Sequence, residues 1–265
     1  MPDRLNRTAL ITGASSGIGA TYADRLARRG HGLVLVARDK ERMAAIAERL
    51  RDAYGVEVEV LPADLTATDD LGRVEARLRE DSSIGLLVNN AGAAAHGGFA
   101  DPDLDAQETL IRLNVTAVTR LAGAVVPRFL AEGGGAIINM ASVLAVAPEI
   151  LPGIYAATKA FVLTFSQSLQ AELGGRRLYV QAVLPAATRT EIWSRSGRDV
   201  NVLQGVMDVG ELVDAALVGF DQREAITIPP LPDAGQWDAF AAARLAMLPN
   251  FRQEHPAERY RAASA

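Results

Sequence analysis

Thr12-Gly13-Ala14-Ser15-Ser16-Gly17-Ile18-Gly19 is the stretch that decides the fold. The apolar run Ala9-Leu10-Ile11 leads into it. Ile18, Tyr22 and Leu26, with the small Ala23 and Ala27, recur at helical spacing on the way out. The order is strand, glycine turn, helix. Glycine is required where the backbone takes positive φ or approaches a ligand closely. A helix N-terminus offers unpaired N–H groups and partial positive charge, which suit a phosphate. The spacing is G-x-x-x-G-x-G, and it reads as a pyrophosphate cradle formed by Gly13, Ser15, Ser16, Gly17, Ile18 and Gly19 at the first βα turn of a doubly wound sheet.

Outward from this turn, strands and helices alternate. Leu33–Ala37 reads as a buried strand, and Asp39 caps a helix whose apolar face is Met43, Ile46, Ala47, Leu50 and Tyr54. Val56–Leu61 alternates as a third strand near the sheet edge and ends at Ala63-Asp64-Leu65. Leu71, Val74 and Leu78 mark a third helix. Gly85–Val88 is the fourth strand and runs into Asn89-Asn90-Ala91-Gly92. A helix from about Asp105 to Leu130 follows, with Pro127 as a candidate kink. Ala136–Met140 is the fifth strand, Ile154–Leu173 a long helix and Leu178–Leu184 the sixth strand. The pattern breaks after Pro185 and resumes with a helix at about Val209–Phe220, a short strand at Ala225–Ile228 and a helix at about Ala234–Leu248. The expected fold is α/β, one mostly parallel seven-stranded sheet with helices on both faces. The expected organisation is a single domain over 1–265, with a substrate lid at about 186–208 and a polar tail from about 249.

Composition narrows the function classes. The 265 residues carry a net charge of −5, with no basic run or stripe, so no nucleic-acid partner is expected. Cysteine is absent, and the three histidines (His31, His96, His255) are far apart, so thiolate chemistry is excluded and no metal site is expected. The first seven residues hold no apolar core of signal-peptide length. No uninterrupted apolar run of about 18 residues appears, so the expectation is a cytoplasmic protein without a membrane partner.

Chemistry concentrates in Tyr155-Ala156-Ala157-Thr158-Lys159 and the upstream Ser142. Residues four apart share a helix face, which puts Tyr155 beside Lys159. A nearby ammonium favours the phenolate and lowers a tyrosine pKa. Ser142, at the end of the fifth strand, is placed to hold a carbonyl oxygen while Tyr155 protonates it. An ordinary helix with a core tyrosine and a surface lysine carries the same pentapeptide.

Thr12–Gly19, Asn89–Gly92, Asn114 and Ser142 with Tyr155 and Lys159 stand in the order seen in the short-chain dehydrogenase/reductase family, which the chain resembles over roughly 7–190. The resemblance implies a single Rossmann-type domain and an NAD(P)(H)-dependent oxidoreductase interconverting a secondary alcohol and a ketone or aldehyde. It implies that Tyr155 is the acid–base group, that Lys159 lowers its pKa and holds the nicotinamide ribose, that Ser142 polarises the substrate oxygen and that Asn114 anchors a proton-relaying water. Asn90, with Ala91 and Gly92, is expected near the adenosine ribose, and Asp64, with Leu65, at the adenine. Pro185, Thr188 and Thr190 are expected at the nicotinamide amide, with Ala186 where the family usually has glycine.

Cofactor choice is read after the second strand. NAD-using relatives often have an acid there. This chain has Ala37 followed by Arg38, which resembles NADP-preferring members, although Ser16 stands where a second basic residue is often found. The expectation is NADP(H), with NAD(H) the alternative. The lid residues Ile192, Trp193, Val202, Leu203, Val206 and Met207 suggest an apolar substrate, and His96 lies either at the pocket mouth or on a loop surface. The resemblance further implies a homodimer or homotetramer. The rival from another class is a nucleotide-sensing regulatory protein without turnover, and a nucleotide-sugar epimerase is a weaker third.

Overall fold

The computed structural model describes residues 8–94, 99–100, 102–151, 153–195 and 199–261. Its strands are β1 (Thr8–Thr12), β2 (Leu33–Ala37), β3 (Val58–Pro62), β4 (Ile84–Asn89), β5 (Gly135–Met140), β6 (Leu178–Val183) and β7 (Ile226–Thr227). They form one sheet in the order β3-β2-β1-β4-β5-β6-β7, and every pairing is parallel. β3 is an edge strand, as its alternating sequence suggests.

Alternation along the strands explains the layering. Ala9 and Ile11 point into one apolar cluster and Leu10 into the other; Leu33 and Leu35 oppose Val34 and Val36; Leu86 and Val88 oppose Leu87. Both sets are apolar, so both sheet faces must be covered. The first is covered by α1 (Gly17–Arg28), α2 (Lys40–Tyr54) and α8 (Val209–Asp221), through Tyr22, Leu26, Met43, Leu50, Val213 and Phe220. The second is covered by α3 (Thr68–Glu80), α5 (Val118–Ala131) and α6 (Ile154–Leu173), through Leu71, Leu78, Leu121, Phe129 and Leu173.

The expected helix from Asp105 to Leu130 is interrupted. It comprises α4 (Leu104–Ile111), a π-helical turn at Arg112–Ala117 and α5. The widened turn surrounds Asn114, while α5 runs on through Pro127. Leu104–Ala131 is long and apolar enough to cross a membrane, with an 18-residue window of mean hydropathy 1.3; half of that window is buried here. Four-residue α7 (Ile192–Arg195) lies in the lid segment.

The chain divides into two compact units at Pro229 and Pro230. Prolines at 229, 230 and 232 supply the sequence signal, since proline cannot continue a strand or helix interior. The second unit contains α9 (Ala234–Ala246), which Asp233 caps through the Gly235 N–H at 2.8 Å. Trp237 and Phe240 pair on it with centroids 5.5 Å apart, and no α9 residue is fully buried. The polar tail adds 3-10 turns at Leu248–Phe251 and Glu258–Tyr260.

Candidate active site

The strand order reverses between β1 and β4, and the crevice beyond their C-terminal ends is where open α/β sheets bind ligands. The glycine turn occupies it. Gly13 has φ +68°, and a Cβ there would lie 2.9 Å from Ala91 Cα; one on Gly19 would lie 2.3 Å from the Gly13 carbonyl oxygen. Turn and helix start are therefore packed too closely for any side chain at these two positions. No acidic residue stands in the first turn of α1, whose N-terminus keeps its attraction for an anion. Ser15, Ser16, Gly17 and Ile18 are half-buried around it. These residues fit a dinucleotide pyrophosphate.

Thr12, absent from the expected site residues, ties the turn to β4. Its Oγ1 accepts from the backbone N–H groups of Asn90 and Ala91, each at 3.0 Å, and donates to the Val88 carbonyl at 3.3 Å. Asn90, expected near the adenosine ribose, spends its side-chain amide on the Thr12 carbonyl at 2.9 Å. Asp64 shapes the turn before α3: its Oδ1 accepts from the Thr66 N–H at 2.9 Å and the Thr66 hydroxyl at 2.7 Å, and Leu65 beside it is buried. Arg38 follows β2, is exposed, and has no ion pair among the described residues.

The catalytic candidates converge. Ser142 lies just past β5, where it starts a 3-10 turn (Val143–Ala145) that packs on α6. Its Oγ accepts from the Leu144 N–H at 3.2 Å and donates to the Pro185 carbonyl at 3.3 Å, which fixes it between the ends of β5 and β6. Tyr155 is half-buried in the first turn of α6, and its hydroxyl has no hydrogen bond among the described residues. Lys159, one turn on, is buried; its Nζ lies 5.6 Å from the Tyr155 ring centroid and donates to the Met140 carbonyl at 2.7 Å.

The sequence predicts that Lys159 lowers the Tyr155 pKa, but burial dominates here. It pushes the phenol up to about 12 and the ammonium down from 10.5 to about 8. Stripped of water, Lys159 is a weaker cation, and its hydrogen bond goes to a backbone carbonyl rather than to the phenol oxygen. Between about pH 8 and 10.5 the unfolded chain keeps a proton on Lys159 that the native protein has lost, so this residue makes stability rise with pH across that window. Urea denaturation at either end should show the rise in wild type and its loss in Lys159→Met. Equal pH slopes in the two proteins would contradict the assignment.

Asn114 is 1% exposed, and its side chain makes three hydrogen bonds. Its Nδ2 donates to the Ala93 carbonyl at 3.0 Å and to Thr158 Oγ1 at 3.1 Å, while its Oδ1 accepts from the Ala93 N–H at 3.0 Å. Thr158 in turn donates to the Tyr155 carbonyl at 2.8 Å, an unanticipated link from the π turn to the catalytic helix. A Cβ on Gly92 would lie 3.3 Å from Asn114 Oδ1 and 3.4 Å from Lys159 Nζ, so both line the wall that Gly92 leaves open.

The lid segment is stitched at its base. Thr188 bridges Met207; the Arg189 N–H donates to the Met207 carbonyl and the Met207 N–H to the Ala187 carbonyl, each at 2.9 Å. Trp193 Nε1 donates to the Thr188 carbonyl at 2.7 Å. The Thr190 methyl would lie 3.2 Å from a Cβ on Gly17, which places Thr190 on the glycine turn. A cleft of about 450 Å³ is lined by Arg189, Thr190, Glu191, Trp193, Val200 and Asn201, among others. A larger one of about 540 Å³ lies by the starts of β1, β2 and β3, lined by residues including Thr8, Leu33 and Val58, at the opposite end of the sheet from Ser142. His96 lies outside the described residues. Among the described residues no cluster of metal-ligating side chains occurs.

Comparison with known proteins gives concordant results. The family model for short chain dehydrogenase matches residues 7–201. A short-chain dehydrogenase from Sphingobium yanoikuyae, solved in complex with NADPH, is 62% identical, covers 96% of this chain and 100% of its own, and superposes with a TM-score of 0.95. The bulky-bulky ketone specific alcohol dehydrogenase from Comamonas testosteroni is 56% identical, with 96% and 98% covered and a TM-score of 0.89. The very-long-chain 3-oxoacyl-CoA reductase-A of Danio rerio is 36% identical over 193 residues, 71% of this chain and 60% of that protein. The chain thus spans about 60% of the length of the first curated relatives it matches. With its glycine turn, all-parallel sheet and Ser142–Tyr155–Lys159 arrangement, this chain belongs to the short-chain dehydrogenase family.

Proposed function

We propose that the protein is an NADPH-preferring reductase that converts bulky, largely apolar ketones to secondary alcohols. The observation that carries this is the Tyr155 hydroxyl, unpaired among the described residues on the helix face it shares with Lys159 and backed by Ser142 at the strand ends. When bound, the nicotinamide supplies hydride to the carbonyl carbon. Ser142 Oγ–H, turned from the Pro185 carbonyl it meets at 3.3 Å, orients the carbonyl oxygen by hydrogen bonding. Tyr155, still a neutral phenol at physiological pH, delivers its proton to that oxygen. Lys159 holds positive charge beneath the phenol as the proton leaves. Gly13, Gly17, Gly19 and the α1 N-terminus would hold the pyrophosphate, and Arg38 the 2′-phosphate.

Apolar side chains support the substrate class. Trp193 and Met207 are half-buried in the lid segment, and Val202, Leu203 and Ile150 are exposed on it and on the loop after β5. The Comamonas relative's stated specificity points the same way. Exposed Leu104, Ile111 and Phe161 on α4 and α6 support a homodimer or homotetramer, to be checked by sedimentation.

The test is NADPH oxidation by the purified protein with matched carbonyls. Bulky aryl or cyclic ketones should exceed small charged keto acids by about tenfold or more in kcat/KM, the scale on which apolar pockets discriminate. A reversed order would overturn the substrate class, and preference for 3-oxoacyl thioesters would move it toward the fatty-acyl relatives. No turnover with any carbonyl would favour a nucleotide sensor.

A further inference from the structure

Arg42 stands in the first turn of α2, and Asp39 caps its backbone N–H at 3.0 Å. Its guanidinium Nη1 donates to both carboxylate oxygens of Glu191, each at 2.9 Å, and its Nε lies 3.4 Å from Asp39 Oδ2, a looser pairing that the cap holds in place. Glu191 opens the loop between the Thr188 and Met207 stitches, and its neighbour Thr190 sits on Gly17. Residues 190–191 therefore touch both the glycine turn and the start of α2. Arg38, exposed, immediately precedes the capping Asp39 in the chain. The Arg42 and Glu191 side chains are 51% and 45% exposed, so their pairing can be exchanged for another anion at little cost.

We infer that Arg42 is a second cation for the adenosine 2′-phosphate and that Glu191 is its resident counter-ion, displaced when the phosphate arrives. This rests on the NADP(H) reading above. It also answers the missing basic residue at Ser16, because Arg42 supplies that charge from α2. A phosphate monoester carries up to two negative charges and three acceptor oxygens, against one charge on Glu191. The bare ribose hydroxyl of NAD(H) has no charge with which to displace it. NADP(H) therefore frees the start of the lid from α2, whereas NAD(H) leaves it tied.

Calorimetric titration of the purified full chain with adenosine 2′,5′-bisphosphate and with AMP tests this without turnover. Glu191→Gln should tighten bisphosphate binding and Arg42→Met weaken it, each about three- to fivefold, with Arg42→Lys between, on the scale of an exposed ion pair. AMP binding should stay within about twofold throughout, since AMP lacks the phosphate in question. Opposite shifts from the two ends of one ion pair distinguish a counter-ion from a structural latch, whose loss from either end acts in one direction. Shifts of the same sign overturn the proposal. So does an unchanged bisphosphate affinity in all three variants while Arg38→Leu abolishes the preference over AMP. If wild type shows no preference and Arg38→Leu changes nothing, the NADP(H) reading itself fails and the role of Arg42 with it.

Discussion

Tyr155→Phe is expected to lower kcat for carbonyl reduction by about 10²-fold or more, the loss typical when a general acid is removed. The ring, its place on α6 and the Lys159 Nζ 5.6 Å from its centroid are all retained. Only the proton is lost. The hydroxyl has no hydrogen bond to break among the described residues, so fold and nucleotide binding should be little changed. Stopped-flow or steady-state kcat, paired with a calorimetric nucleotide Kd, separates the two. Near-wild-type turnover in a folded, nucleotide-binding variant would remove Tyr155 from the mechanism.

The second large effect is cofactor preference. NADP(H) differs from NAD(H) by one phosphate on the adenosine ribose. An acid at the end of β2 would repel it and bond the bare hydroxyl, but Ala37 stands there. Asp39, the nearest acid in sequence, is turned to the α2 N-terminus, where its Oδ1 caps the Arg42 N–H and its Oδ2 lies 3.4 Å from the Arg42 guanidinium. Arg38 offers a planar, permanently charged fork. A charge-assisted bond of about 1.5–3 kcal/mol corresponds to roughly 10- to 100-fold in affinity, and exposure pulls the value toward the lower end. Wild type should therefore favour NADPH in kcat/KM, and Ala37→Asp with Arg38→Leu should move the preference to NADH. Equal or better use of NADH by wild type would sink the assignment of Arg38 while leaving Tyr155 untouched.

Much of this was legible in the sequence because it is periodic or local. The alternation of strands with helices announced a sheet covered on both faces. The limits of α6, Ile154–Leu173, follow from its apolar spacing, and the turn from Thr12 to Gly19 needs only its own glycines. What escaped depends on partners far away in the chain. The Asn114 link runs through Thr158, 44 residues on, and Arg42 meets Glu191 across 149. No period records such pairings. The π turn escaped because no spacing distinguishes it from α-helix; the polar Asn114 amid apolar helix residues was the clue. The pKa of Tyr155 escaped because i, i+4 spacing says where a lysine stands but not how much water it has lost.

The stitch between Thr188 and Met207 bears on how a reductase built this way would change its diet. Both chain ends are pinned beside the catalytic strands, so the intervening stretch is a closed loop whose length can vary at a logarithmic cost in closure entropy. Thr190, Glu191 and Trp193 hold to the glycine turn, α2 and Thr188, but residues from Val202 to Val206 can be exchanged without disturbing β6, the glycine turn or Tyr155. Selection for new substrates can act on that loop alone, as on an interchangeable jaw fitted to a fixed vice.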